Sequence, residues 1–282
     1  MVSARKAVLI TGASTGIGAS SALRLAERGW RVFAGVRREE DARRLATRAR
    51  GELEPVLMDV TEPASVARAL GEVRDGTEGV LDGLVNNAGI VVAGPVECVA
   101  PEDWRRQFEV NVFGAVAVTR AALPMLRRAR GRIVNVSSVS GRIVTPMLGP
   151  YCASKFAVEA ISDALRIELR EQGVRVALIE PGAVDTPIWA KSLGAAAERE
   201  ARYPAEATDL YGRQIAKLHD LAESAARAAM PVDKAVRAIV HALSAKRPRI
   251  RYLLGRDARL GVAIRQLLPD AWWDALLARQ MR

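Results

Sequence analysis

The strongest constraint on this chain is a regular alternation of two kinds of segment. Short apolar runs rich in β-branched residues occur at 7–10, 31–36, 55–59, 83–86, 132–137, 174–180 and 250–254. Between them lie longer segments with apolar residues three and four apart, at 17–28, 39–49, 63–73, 101–128, 151–172 and 233–244. The first kind suits strands and the second amphipathic helices. Their alternation builds βαβ units, and these close a parallel sheet with helices on both faces. Strands buried on both faces are apolar throughout rather than at every second residue, as these are. The predicted fold is α/β: a single doubly wound parallel sheet.

Two regions break the rhythm. Residues 187–231 form an Ala/Glu/Arg-rich helical insertion between strands, placed to act as a substrate lid. Residues 256–282 form a helical tail with Leu260, Ile264, Leu267 and Leu268 on one face, then Trp272 and Trp273. That tail packs on the domain's own edge, or it meets a membrane surface or a second subunit. No Pro/Gly/Ser linker interrupts the chain, so 1–282 reads as one domain.

Composition removes several classes. Half the residues are hydrophobic and 26% charged, which is ordinary for a globular chain. Cys98 and Cys152 are too few for a disulfide framework and read as small core residues in a reducing, cytoplasmic setting. With only His219 and His241, no His/Cys metal cluster is expected. No uncharged apolar run reaches the roughly 18 residues of a spanning helix. The N-terminus shows no signal-peptide pattern and runs straight into a strand. The net charge of +10 attracts anions. The arginines recur at helical spacing, however, without a compact basic block interleaved with aromatics, so no nucleic-acid partner is expected.

Thr11-Gly12-Ala13-Ser14-Thr15-Gly16-Ile17-Gly18 follows the first strand and opens the first helix. Glycines there permit a tight turn and close approach of backbone to a pyrophosphate, and the helix N-terminus supplies N–H donors. Such sites place an acid at the tip of the second strand to bind a ribose 2′-hydroxyl. Here that tip carries Arg37 and Arg38, and guanidinium suits a 2′-phosphate. The pattern favours NADP(H), with NAD(H) as the second nicotinamide cofactor. Asp59, followed by Val60, ends the third strand, where its carboxylate can accept from an adenine amino group or cap the next helix.

Tyr151 and Lys155 are spaced i,i+4 and share one helix face. A neighbouring ammonium lowers a phenol's pKa from its usual value near 10, making Tyr151 usable as an acid or base. Ser138 follows the fifth strand, at the same C-terminal edge of the sheet.

From about Lys6 to Arg251 the sequence resembles the short-chain dehydrogenase/reductase family, a Rossmann-type fold. The loop 11–18 matches its cofactor motif, and Asn86-Asn87-Ala88-Gly89 its NNAG segment. Asn111 matches the catalytic Asn, Ser137-Ser138 the paired serines and Tyr151–Lys155 the YxxxK motif. Pro181-Gly182 with Val184 and Thr186 matches the segment beside the nicotinamide. The resemblance implies that Tyr151 exchanges the proton on the substrate oxygen while Ser138 hydrogen-bonds it. It implies that Lys155 binds the nicotinamide ribose and lowers the Tyr151 pKa, and that Asn111 holds a water leading from Lys155 to solvent. Asn87, Ala88, Gly89, Pro181, Gly182, Val184 and Thr186 join the cofactor contacts. A homodimer or homotetramer through 113–126 and 151–172 is implied too.

The substrate side is apolar: Val91, Val92, Ile143, Val144, Met147, Leu148, Ile188, Trp189 and Leu193, with little fixed charge to hold an anionic group. That suits a small hydrophobic alcohol or carbonyl compound. Residues 248–269 resemble the retinol and hydroxysteroid dehydrogenase branch, pointing to a steroid-, retinoid- or long-chain-like secondary alcohol or ketone. The competing readings are a 3-oxoacyl-type reductase, a non-catalytic dinucleotide-binding scaffold and a surface-charge binder.

Overall fold

A computed structural model describes residues 5–281. Its core is one seven-stranded sheet, all parallel, in the order β3-β2-β1-β4-β5-β6-β7. The strands are β1 (Ala7–Ile10), β2 (Arg31–Val36), β3 (Leu53–Leu57), β4 (Gly83–Asn86), β5 (Arg132–Val136), β6 (Arg175–Pro181) and β7 (Arg251–Leu254). Helices α1 (Gly16–Glu27), α2 (Glu39–Ala46), α3 (Pro63–Gly76), α4 (Pro101–Phe108), α5 (Gly114–Ala129) and α6 (Gly149–Glu168) connect them, with α9 (Val232–Ser244) leading into β7.

Successive strand residues feed opposite cores. Val8 and Ile10 pack with Ala22 and Leu25 of α1 and with Val236 and Ile239 of α9. Leu9 packs on the other face with Leu70 of α3, and with Val118 and Leu126 of α5. The chain order reverses between β1 and β4, and a parallel sheet opens its ligand crevice at the C-terminal ends of such a pair.

Three elements differ from the sequence expectation. The third strand begins and ends two residues earlier than predicted, with Pro55 inside it opposite Ala34. Proline lacks a donor, but β3 is an edge strand, where one missing N–H leaves no ladder partner unsatisfied. The helix expected over 101–128 is broken by a π-helical stretch, Glu109–Phe113, which contains Asn111. The stretch Pro101–Ala129 is long and apolar enough to cross a membrane by composition, yet its buried face belongs to the core of this domain. In the tail, α10 (Arg256–Leu267) buries Ala258 and Val262, and α11 (Asp270–Gln280) buries Trp273. Leu260 and Leu267, expected on the packed face, are exposed at 63% and 83%.

The insertion forms two helices, α7 (Ile188–Glu200) and α8 (Ala205–Arg227). Its two ends are tied by a parallel bridge between Val184 and Met230, with Asp185 N donating to Met230 O (3.0 Å) and Met230 N to Ala183 O (3.0 Å). The insertion therefore leaves and rejoins the sheet at one point.

Candidate active site

The glycine loop is held from both sides. Thr11 N donates to Val85 O of β4 (3.0 Å), and Ala13 N to Gly35 O of β2 (2.9 Å). Asn87 Nδ2 donates to Thr11 O and Gly12 O, both at 3.0 Å, while Thr11 Oγ1 accepts from Asn87 N (3.0 Å) and Ala88 N (3.1 Å). Gly12 has φ +64°, and a Cβ there would lie 2.7 Å from Ala88 Cα. A Cβ on Gly18 would sit 2.4 Å from Gly12 O. Neither position admits a side chain. α1 has no acidic residue in its first turn and no side-chain cap, so its first N–H groups are free to meet an anion. Thr186 closes the other side, 3.2 Å from where a Cβ of Gly16 would be. Ser14, Thr15 and Ile17 are half-buried along this cradle, and Gly89 is exposed at its β4 side. The cradle fits a dinucleotide pyrophosphate on its own chemistry: glycines where backbone must approach, and donors without a competing carboxylate.

Arg37 and Arg38 stand exposed beyond the end of β2. Asp41, in the first turn of α2, lies 3.9 Å from Arg38 Nε and 2.6 Å from Arg44 Nη2. Arg44 also reaches Ser14 O at 3.4 Å. This third guanidinium at the loop was not anticipated; its i,i+3 spacing from Asp41 was the available signal. Asp59 Oδ1 accepts from Thr61 N (2.9 Å) and Thr61 Oγ1 (2.7 Å), so that oxygen closes a turn ahead of α3. Val60 is buried against Gly114, where a Cβ would lie 2.7 Å from Val60 Cγ2.

At the ends of β5 and β6 the catalytic candidates converge. Ser138 Oγ accepts from Ser140 N (3.1 Å), donates to Pro181 O (3.4 Å) and hydrogen-bonds Tyr151. Lys155 Nζ donates to Val136 O (2.9 Å) and lies 5.8 Å from the Tyr151 ring centroid. Burial pushes the Lys155 ammonium down to about 8, against the pull of Glu159 one turn along α6. Burial also pushes the Tyr151 phenol up to about 12, with the Ser138 hydrogen bond acting in the opposite direction. The expectation of a depressed Tyr151 is therefore not met: desolvation raises it, and the lowering influence at the site is Ser138.

Asn111 is nearly fully buried, and its amide is engaged in the fold. Oδ1 accepts from Ile90 N (2.9 Å), and Nδ2 donates to Ile90 O (3.1 Å) and Ser154 Oγ (3.1 Å). The Asn111 side chain is thus occupied in holding the fold together. Gln107, which sequence reasoning passed over, repeats the arrangement: Oε1 accepts from Val92 N (2.7 Å), and Nε2 donates to Ile90 O (3.0 Å). Together they strap the segment after Gly89 onto α4 and the π-helical stretch. Asn86 ties sheet to helix through Thr119 Oγ1 and Asn135 Oδ1, both 2.9 Å.

On the substrate side, Val92 is 1% exposed and belongs to the interior, not to a pocket wall. Val144 and Ile188 are open to solvent, and Trp189 is fixed by Nε1 donating to Val184 O (2.8 Å). Ile143 meets α10 near Gly261, and Gly182 lies against Ala258, so the tail backs the crevice. Behind Lys155, buried Glu159 and Glu180 share Arg251 of β7, at 3.2 and 3.0 Å. Burial raises Glu159 to about 7.

A glycine cradle at the switch point of a parallel sheet, with Ser138, Tyr151 and Lys155 gathered at its edge, defines a nicotinamide dinucleotide-dependent oxidoreductase. The family profile for short chain dehydrogenases matches residues 6–196, and the chain belongs to that family. It is similar to an NADPH-dependent 3-dehydrocapnine reductase of Ornithobacterium rhinotracheale, 35% identical over 97% of this chain and 96% of the relative. It is similar to human retinol dehydrogenase 16, 40% identical over 96% of this chain and 87% of that one. A short chain dehydrogenase/reductase from Burkholderia phymatum, solved in complex with NAD, superposes with a TM-score of 0.78 at 25% identity, covering 93% of each chain.

Proposed function

We propose that this protein is an NADP(H)-dependent oxidoreductase that transfers a hydride between nicotinamide and a hydrophobic secondary alcohol or ketone. The observation that carries the cofactor preference is the tip of β2. Two arginines stand there, Arg44 lies close by, and Asp41 is turned to Arg38 and Arg44. Support for the substrate class comes from the apolar crevice wall and from the retinol dehydrogenase relative.

In this reading the cofactor supplies or accepts the hydride, and the chain handles the proton and the alignment. Tyr151 holds its proton at neutral pH, so it acts as the acid when a ketone is reduced. Ser138 hydrogen-bonds the same oxygen as charge develops on it. Lys155 holds the ribose hydroxyls and is positively charged below pH 8. Asp59, Asn87, Ala88, Pro181, Gly182, Val184 and Thr186 line the remaining cofactor contacts. The protein is read as a cytoplasmic homodimer or homotetramer, with exposed Phe113, Phe156 and Ile167 available on the expected interface.

The test is initial-rate reduction of steroid, retinoid and long-chain carbonyl compounds with NADPH. Turnover of at least one of these classes, lost in Tyr151→Phe, supports the reading. Turnover confined to carrier-linked 3-oxoacyl substrates moves it to the acyl-reductase alternative. NADPH binding without any turnover moves it to a scaffold.

A further inference from the structure

Arg199, on the inner face of α7, is 6% exposed. Among the described residues no carboxylate pairs with it. Its Nε reaches Ala93 O at a long 3.4 Å, and its Nη2 is buried without a hydrogen-bond partner. Tyr203, about one turn further, has a buried hydroxyl that is also unpartnered. That hydroxyl is pressed against Gly94, where a Cβ would come within 2.1 Å of it. The nearby acids are engaged elsewhere: Glu200 with His219 (2.9 Å) and Asp103 with Arg202 (3.3 Å). A guanidinium and a phenol thus lie beneath the insertion, with no acceptor for Arg199 Nη2 or for the Tyr203 hydroxyl. A fold gains nothing from an unpaired buried cation, since its desolvation goes uncompensated.

The place matters. Ala93 and Gly94 follow the Asn87–Gly89 segment of the cofactor crevice and lead away from it. Gly94 N donates to Met147 O (2.8 Å), and Met147 is four residues before Tyr151. Four residues of chain span at most about 14 Å even when fully extended, so the donor pair lies within the reach of one long-chain ligand held at Tyr151. The backbone of the insertion that carries Arg199 is bridged at its base by Val184–Met230, and Arg202–Asp103 (3.3 Å) crosses from it to α4.

We propose that Arg199 and Tyr203 form an anion subsite, and that the substrate is an amphiphile: a carbinol or ketone at Tyr151 with a carboxylate, sulfonate or phosphate at its other end. The substrate claim rests on the oxidoreductase reading above; the anion site does not. The guanidinium fork takes two oxygens of such a group and the phenol donates to the third contact. On this proposal the substrate meets one fixed charge beyond the apolar wall expected from the sequence. Arg199 is remote in sequence from the motifs and reaches the crevice only through the fold of the insertion.

Binding of dodecanoate, dodecanesulfonate, dodecyl phosphate and dodecanol is measured by calorimetry below their micelle concentrations. The anions are expected to bind tenfold or more tighter than the alcohol, and their ranking identifies the head group. Arg199→Met removes that advantage, Arg199→Lys keeps part of it, and Arg202→Met, on the exposed side, leaves it intact. Arg199→Met also keeps or raises the melting temperature, because it removes an uncompensated charge. Equal binding of anions and alcohol, or an anion preference that survives Arg199→Met or is lost equally in Arg202→Met, overturns the site. A second arm compares NADPH oxidation with 7- to 12-oxo fatty acids and their methyl esters. A preference for the acids that disappears in Arg199→Met places the anion on the substrate. Anion binding with no turnover of either series leaves the anion site standing and removes the claim that the anion belongs to the substrate, while the oxidoreductase reading is decided by the carbonyl panel above. Turnover of acids and esters alike removes the amphiphile claim and leaves that reading standing.

Discussion

Replacing Arg251 with methionine strikes the buried charge cluster that ties the catalytic helix to the sheet. Arg251 of β7 lies 3.0 Å from Glu180, 3.2 Å from Glu159 and 2.7 Å from Asp163. Glu180 is 1% exposed and keeps one further cation, Arg142, at 3.4 Å. Asp163 is 40% exposed, so its share is screened and small. The loss is therefore that of a cation from two buried acids, about 3–5 kcal/mol. At about 2 °C per kcal/mol for a domain of this size, the melting temperature falls by roughly 6–10 °C once both acids are ionised, above neutral pH. The sign of the pH dependence follows from Glu159, whose carboxyl burial already raises to about 7. A carboxyl with a folded pKa above its unfolded one costs stability as pH rises from the unfolded value through the folded one. Removing Arg251 raises it further. The Glu159 part of the deficit should thus be absent at pH 4.5, open above about pH 7 and grow with further rise in pH. Thermal melts at pH 4.5, 6 and 8 read it directly. A deficit that does not change with pH would reduce Arg251 to a packing residue, and one below about 2 °C would show that the cluster holds nothing.

Four further outcomes are expected. Tyr151→Phe lowers kcat about 10²–10⁴-fold and leaves the NADPH dissociation constant unchanged; a near-normal kcat would remove its role as acid. With wild-type protein, kcat/KM for NADPH declines as pH rises through about 8, where Lys155 loses its charge, whereas a flat profile to pH 9.5 would separate Lys155 from cofactor binding. Gly18→Ala places a methyl 2.4 Å from Gly12 O and abolishes cofactor-induced thermal stabilisation; retained stabilisation would mean the loop is not the cradle. Leu260, Leu267, Trp272 and Leu276 expose apolar surface on the tail, so pelleting with anionic vesicles should survive high salt but not Leu267→Glu.

Much of the fold could be read from the chain because its signals are local. The bounds of β1, β2 and β4 follow from short β-branched runs between glycines and helix starts. The register of β3 was hidden because nothing near Pro55 reveals that its strand has only one neighbour. The π-helical stretch at Asn111 was hidden because its cause lies in partners far along the chain, at Ile90 and Ser154. The site followed the same division. Gly12, Gly18, Ser138, Tyr151 and Lys155 sit where the motifs put them. The state of the Tyr151 proton depends on desolvation, which only the assembled site shows. Arg199 and Gln107 act through backbone atoms of 90–93, contacts that leave no pattern in sequence.

The central claim is most directly tested by titrating the purified protein with NADPH and with NADH while following nicotinamide fluorescence, in wild type and Arg37→Ala. The account predicts NADPH at least about tenfold tighter, the difference of one charge-assisted contact, and a substitution that weakens NADPH far more than NADH. Tighter NADH, or equal losses for the two cofactors, would contradict the assignment of the β2 tip to a 2′-phosphate.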